Sequence, residues 1–173
     1  MKGIFDMERV AAFSKVSRDI FIAALAGNDC FEGMESAYAD IMLPKRATTG
    51  SAGYDFFIPF DLELGAGKTA LIPTGIRARI NDGWVLMIFP RSGLGFKYRV
   101  QLDNTVGIID SDYYGSSNEG HIMVKITNDS RTGKTLSLTK GQGFAQGIFL
   151  PFGITEDDSV SEIRDGGFGS TTK

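Results

Sequence analysis

Cysteine and histidine are almost missing from the 173 residues, with one of each, Cys30 and His121. A single cysteine excludes an internal disulfide and makes a cytoplasmic chain the simpler reading. A structural zinc site needs three or four Cys, His or carboxylate ligands, which one cysteine and one histidine do not supply. No apolar run approaches the ~20 residues that would cross a bilayer, so no membrane attachment is expected. Ile20 to Ala26, preceded by Lys15 and Arg18, has the look of a short secretion signal, but Asp6, Glu8 and Asp19 spoil the basic leader such a signal needs. A surplus of positive charge is missing too. The formal net charge of −3 leaves no broad basic surface for polymeric nucleic acid, so any phosphate contact should be a local pocket.

Glycine and phenylalanine are plentiful, at 22 and 13 residues. With aromatic and β-branched runs they favour a turn-rich β protein. Gly75 to Ile80 and His121 to Thr127 alternate apolar with polar, as half-buried strands do. Trp84 to Phe89 and Ile148 to Leu150 are continuously apolar, which predicts strands covered on both faces. Asn81-Asp82-Gly83, Thr132-Gly133-Lys134 and Lys140-Gly141-Gln142-Gly143 punctuate them as turns. Many short strands with no helical pattern between them predict an all-β sandwich or barrel such as a jelly roll. Before this region, Val10, Phe13, Val16, Ile20, Ala24 and Leu25 recur at three- and four-residue steps, which predicts one amphipathic helix from Met7 to about Ala26. Gly27-Asn28-Asp29 reads as its stop. The chain therefore divides into an N-terminal helical extension (1–35), a β core (36–160) and a Gly/Ser/Thr-rich, flexible C-terminal arm (161–173) with Phe168 in its middle.

Five segments carry chemistry. They are Ala52-Gly53-Tyr54-Asp55; Pro90-Arg91-Ser92-Gly93-Leu94-Gly95-Phe96-Lys97; Gly107-Ile108-Ile109-Asp110-Ser111-Asp112-Tyr113-Tyr114-Gly115; Gly141-Gln142-Gly143-Phe144-Ala145-Gln146; and Gly166-Gly167-Phe168-Gly169-Ser170-Thr171. Arg, Ser and Gly together suit phosphate, which needs fixed positive charge and closely approaching backbone donors. Taken singly, Asp110 would be a turn carboxylate at a strand end, and Arg91 to Lys97 a strand-ending turn. In this order, the five segments resemble the five motifs of the trimeric dUTP diphosphatase (dUTPase) family, and the resemblance runs from Ala52 to the C-terminus.

That resemblance implies a distorted jelly-roll barrel of the β-clip type and hydrolysis of dUTP to dUMP and pyrophosphate, which keeps uracil out of DNA and supplies dUMP for thymidylate synthesis. By resemblance, Asp110 is the base that activates water. Arg91, Ser92, Gly93 and Gln146 meet the phosphates, and Arg164, Ser170 and Thr171 add to them from the arm. Asn104, with Gly107 and Ile109 of the neighbouring strand, meets the uracil edge. Tyr113 packs under the deoxyribose and Phe168 stacks on the base, closing the site. Mg²⁺ is the implied cofactor, held mainly by substrate phosphates, with Asp55 reaching it through metal-bound water. Homotrimers with sites shared between subunits are implied as well. This chain departs from the family where Gln142-Gly143 replaces the usual Asp-Arg of the fourth motif. It also has a lengthened turn, Ser116 to Gly120, after the third motif. The related dCTP deaminases carry a catalytic Glu on the following strand, and His121 to Ile126 offers no carboxylate there. A nucleotide-sensing regulator that grips a partner with its N-terminal helix is the reading from another class; the base, the phosphate loop and the arm favour catalysis.

Overall fold

The structure, a computed structural model, describes residues 7–26 and 35–162. The positions Arg164, Phe168, Ser170 and Thr171, and the helix stop at Gly27 to Asp29, lie outside the described residues.

Within them, twelve strands form four antiparallel sheets. The largest has the order β2-β3-β12-β7-β9, from Lys45–Arg46 (β2), Tyr54–Phe57 (β3), Gly143–Pro151 (β12), Trp84–Pro90 (β7) and Gly107–Ile109 (β9). A second sheet joins Thr69–Pro73 (β5), Met123–Asn128 (β10) and Val100–Leu102 (β8). Leu136–Leu138 (β11) pairs with Leu62–Leu64 (β4), and Ala11–Lys15 (β1) pairs with Ile76–Ile80 (β6). The all-β jelly-roll expectation holds. Its turn signals hold too, because Gly83, Gly133 and Gly141 all have positive φ, where only glycine is unstrained. One core runs through the sheets, with Phe56, Ile72, Leu86, Ile122, Ile126, Leu136 and Phe144 fully buried. Among the described residues no helix is long and apolar enough to cross a membrane.

Three local expectations need correction. Met7 to Ala26 is not one helix: Ala11–Lys15 is a strand, and only Arg18–Ala26 (α1) is helical. Pairing Ala11 with Ile80 and Lys15 with Ile76 occupies the edge of β6, a tertiary contact that helical spacing does not reveal. Phe13, read as part of a helix face, packs its ring 5.4 Å from Tyr54 and 5.6 Å from Phe56 and Phe149. The start signal was Ser17, whose Oγ accepts a long bond (3.4 Å) from Ile20 N. Second, Ser92–Tyr98 is a short helix (α2) despite Gly93 and Gly95. Arg99 ends it in the left-handed conformation (φ 54°), its N–H returning to the carbonyls of Gly95 and Leu94. Third, β7 is fully covered on one face only. Leu86 and Ile88 are buried, while Val85, Met87 and Phe89 are half-buried. Cross-strand pairing lines Met87 up with Ile148 on one side and Ile108 on the other, leaving an apolar outer row.

Candidate active site

The structure gathers described candidate residues into two groups on either side of β7, one around Arg91 just past its end and one against Ile88 and the strand β9. The first forms where β3, β12 and the end of β7 meet. Gln146 pairs with Asp55 on one side and with Phe89 on the other, so the first, second and fourth motifs converge there. Arg91 Nε lies 3.3 Å from Asp55 Oδ1. Gln146 Nε2 donates to the Pro90 carbonyl at 3.1 Å, which fixes the amide at the base of the Arg91-Ser92-Gly93 segment. Two glycines make the room. A Cβ on Gly53 would stand 2.9 Å from Gln146 Oε1, and one on Gly143 would stand 2.6 Å from an Arg91 terminal nitrogen. Glycine at 143, a departure from the usual motif, is therefore what lets the guanidinium lie over β12 toward Asp55. Ser92 and Gly93 are exposed at the first turn of α2, where backbone N–H groups have no carbonyl of their own helix to bond.

The second group lines a cavity of about 420 Å³ between β9, β8 and β10, within the range of small-ligand pockets. Asn104, Gly107 and Ile109 contribute to it, with Ile88, Leu102 and Val124 behind them. Asn104 sits in the turn between β8 and β9, whose tightness comes from Thr105 in the left-handed region (φ 67°) with its N–H bonded to Leu102 O. Gly107 has no Cβ because β7 is close. One built there would lie 3.1 Å from Ile88 Cβ and 4.0 Å from Asn104 Nδ2. Apolar walls with a few polar groups, the amide of Asn104 among them, suit a planar polar ring recognised along one edge.

Asp110 follows directly where β9 ends. Half-buried and extended (φ −80°, ψ 159°), it precedes a 3₁₀ turn, Ser111–Gly115, and its carbonyl accepts from Tyr113 N at 3.2 Å. Tyr113 itself is buried, its hydroxyl donating to His121 O at 2.9 Å.

Some cavity residues escaped the sequence reading. Asp103 and Lys125 face each other at the rim, Nζ to Oδ2 at 3.0 Å, and Asn118 and Met123 line the wall. The hydroxyl of Thr127 and the ammonium of Lys125 hold the Asp103 carboxyl below the ordinary carboxylate range. Lys125 could have been found by its alternation in β10; Asn118, in a loop, gave no pattern to read.

Asp110 and Arg91 stand apart within the chain. Ile109 pairs with Leu86 near the start of β7, whereas Arg91 follows its last residue, Pro90. Asp110 and Arg91 are thus about six strand residues, or ~20 Å, apart along the sheet.

The sequence profile of the dUTPase family matches residues 39–172. The deoxyuridine 5'-triphosphate nucleotidohydrolase of Lactococcus lactis is 40% identical over 136 residues, covering 77% of this chain and 89% of its own. The enzyme of the same name from Pectobacterium carotovorum is 45% identical over 135 residues, covering 73% and 84%. Among solved structures, the Streptococcus mutans dUTPase superposes with a TM-score of 0.60 at 39% identity, covering 68% of this chain and 90% of that one. The dUTPase of Staphylococcus aureus phage phi11 is 20% identical and shares the fold, with a TM-score of 0.63 over 89% of this chain and 98% of its own. The chain belongs to the dUTPase family.

Proposed function

We propose that water, held and deprotonated by Asp110, attacks the α-phosphorus of dUTP in line with the departing pyrophosphate. The chain is a dUTP diphosphatase by family. In the proposed step the water oxygen bonds to the α-phosphorus, the bond from that phosphorus to the bridging oxygen breaks, and the proton passes to the carboxylate. The observation that carries this reading is the position of Asp110. It leaves β9 immediately after Ile109, which lines the cavity, so a base lodged there would direct its sugar and α-phosphate toward the carboxylate.

In that cavity Asn104 would pair with the uracil edge, Gly107 would admit the base, and Tyr113 would lie beneath the deoxyribose. Arg91, Ser92, Gly93 and Gln146 would neutralise and orient the phosphates. Arg164, Ser170 and Thr171 would add further phosphate contacts from the arm, and Phe168 would stack on the base, a contact that contributes on the order of 1 to 3 kcal/mol.

Asp110 and Arg91 of one chain lie too far apart to reach one α-phosphate. We therefore propose a homotrimer in which the nucleoside cavity of one subunit meets the Arg91 corner of another. The half-exposed row Ile148, Met87 and Ile108 is an apolar surface suited to such contact.

Among the described residues no three carboxylates, histidines or cysteines come together to hold a metal. A lone carboxylate, Asp55, beside the phosphate-binding arginine fits a cation that takes most ligands from phosphate and water, as Mg²⁺ does. When bound, Mg²⁺ would neutralise charge on the phosphates, and Asp55 would accept hydrogen bonds from its waters.

The test is Asp110→Asn, which keeps shape and removes the charge. Turnover should fall at least a hundredfold, roughly the share of one general base, while a non-hydrolysable dUTP analogue still binds. Pyrophosphate release at the wild-type rate would remove Asp110 from this role.

A further inference from the structure

We infer that Asn118, in the lengthened turn after the third motif, is a positioning residue that fixes Tyr113 and so sets selection of the sugar. The inference rests on the reading of Tyr113 as the residue beneath the deoxyribose.

The phenol oxygen of Tyr113 is held from two sides. It donates to His121 O at 2.9 Å and accepts from Asn118 Nδ2 at 2.8 Å. The Asn118 amide has one permitted orientation, because Gly120 N–H can only donate and lies 3.2 Å from Oδ1. That turns Nδ2 toward the phenol. The same turn grips the tyrosine's backbone. Ser116 donates to Tyr113 O through both N (3.1 Å) and Oγ (2.7 Å), with Oγ also 2.8 Å from Asn118 Oδ1. Gly120, at φ 70°, packs so closely that a Cβ would be 2.7 Å from Tyr113 O. Asn118 also lines the nucleoside cavity, which Tyr113 does not, so the residue that holds the phenol borders the space the substrate would fill.

Outside contacts keep the turn from drifting. Glu119 takes the left-handed conformation (φ 58°) and its Oε2 accepts from Ser17 N at 2.8 Å, where the N-terminal segment enters α1. Arg77 reaches Glu119 at 3.7 Å, donates to Tyr114 O at 2.6 Å and covers the Tyr114 ring at 3.6 Å. Residues 116–120 thus couple the N-terminal segment to Tyr113 with hydrogen bonds at both ends. A tyrosine held at ring and backbone cannot retreat from an added 2′-hydroxyl, and rejecting an extra group depends on leaving it no room.

The experiment compares kcat/KM for dUTP and UTP in the full-length wild type, Asn118→Ala and Asn118→Asp, each with and without Tyr113→Phe. The Asp variant keeps an acceptor for Gly120 N–H but sets two acceptors, its carboxylate and His121 O, against one phenolic hydrogen. Both variants should lower the dUTP-to-UTP ratio by on the order of tenfold, as for loss of one hydrogen bond. In the Tyr113→Phe background, replacing Asn118 should change the ratio little further, since the hydroxyl it acts on is gone. A merely structural role would lower the melting temperature of Asn118→Ala and leave the ratio at its wild-type value, which would overturn the inference. A wild type that cleaves dUTP without preferring it over UTP would overturn the reading of Tyr113 itself, and this inference with it.

Discussion

Arg91 crosses β12 to meet Asp55, Nε to Oδ1 at 3.3 Å, through space that exists because residue 143 carries no side chain. Gly143→Ala would put a methyl group 2.6 Å from an Arg91 nitrogen. The arginine is the flexible partner and would move. Loss of one charge-assisted contact predicts a fall in kcat/KM for dUTP of about tenfold with little change in melting temperature. Steady-state kinetics beside a thermal melt checks both halves. Unchanged kinetics would mean that the arginine's position is not set at this glycine.

The separation of Asp110 from Arg91 makes a second prediction about assembly. Asp110→Asn and Arg91→Ala should each be nearly inactive alone. Co-expressed in equal amounts, they should regain about a quarter of wild-type activity, because random mixing gives one site in four both intact groups when those groups come from different subunits. If each site were built from one chain, the mixture would stay as inactive as its components.

His121 supplies a pH test. Burial beside Phe21 pushes its pKa down from 6.5 to about 4, against a weaker upward pull from Glu119. Its Nε2 accepts from Gly75 N at 2.8 Å, which requires that nitrogen to be unprotonated. The unfolded chain therefore binds a proton that the folded one refuses, and the stability present above pH 6.5 drains away as pH falls toward 4. The loss is at most about 3 kcal/mol across that interval. Denaturant unfolding between pH 7 and 4.5 should show the decline, and His121→Gln, which can still accept from Gly75 but cannot titrate, should flatten it. Glu119 and Asp103, both held below their ordinary values of 4.5 and 3.8, lose most of their contributions below those values, so the decline above pH 4.5 is chiefly the histidine's.

The all-β class and the motif segments were legible in the sequence. Asn104, Gly107 and Ile109, which line one cavity, lie close together in the sequence, so a local pattern reveals them, whereas Asp55, Arg91 and Gln146 meet only through the pairing of β3, β12 and β7. Ala11–Lys15 was unreadable for the latter reason. Its strand character comes from β6, some 65 residues away, while Val10, Phe13 and Val16 also satisfy a helical spacing. Asn118 was hidden likewise. Nothing around a polar loop residue indicates that its amide turns back onto a buried phenol.

Gly75 joins the N-terminal segment to the barrel, and its replacement should cost the most stability. Its φ is +71°, a Cβ would lie 2.2 Å from Ile41 Cδ1 and 3.3 Å from Phe21 Cδ2, and its N–H is the donor to His121. Ile41 and Phe21 are both buried, so neither can swing aside into solvent. Gly75→Ala should therefore lose about 2 to 4 kcal/mol, combining left-handed strain with overpacking. For a chain of this length that lowers the melting temperature by roughly 5 to 15 °C. Ile41→Val deletes the colliding carbon. On its own it should cost about 1 kcal/mol. If collision drives the loss, the double variant should be more stable than the sum of the two single changes, whereas simple additivity would assign the effect to backbone strain alone.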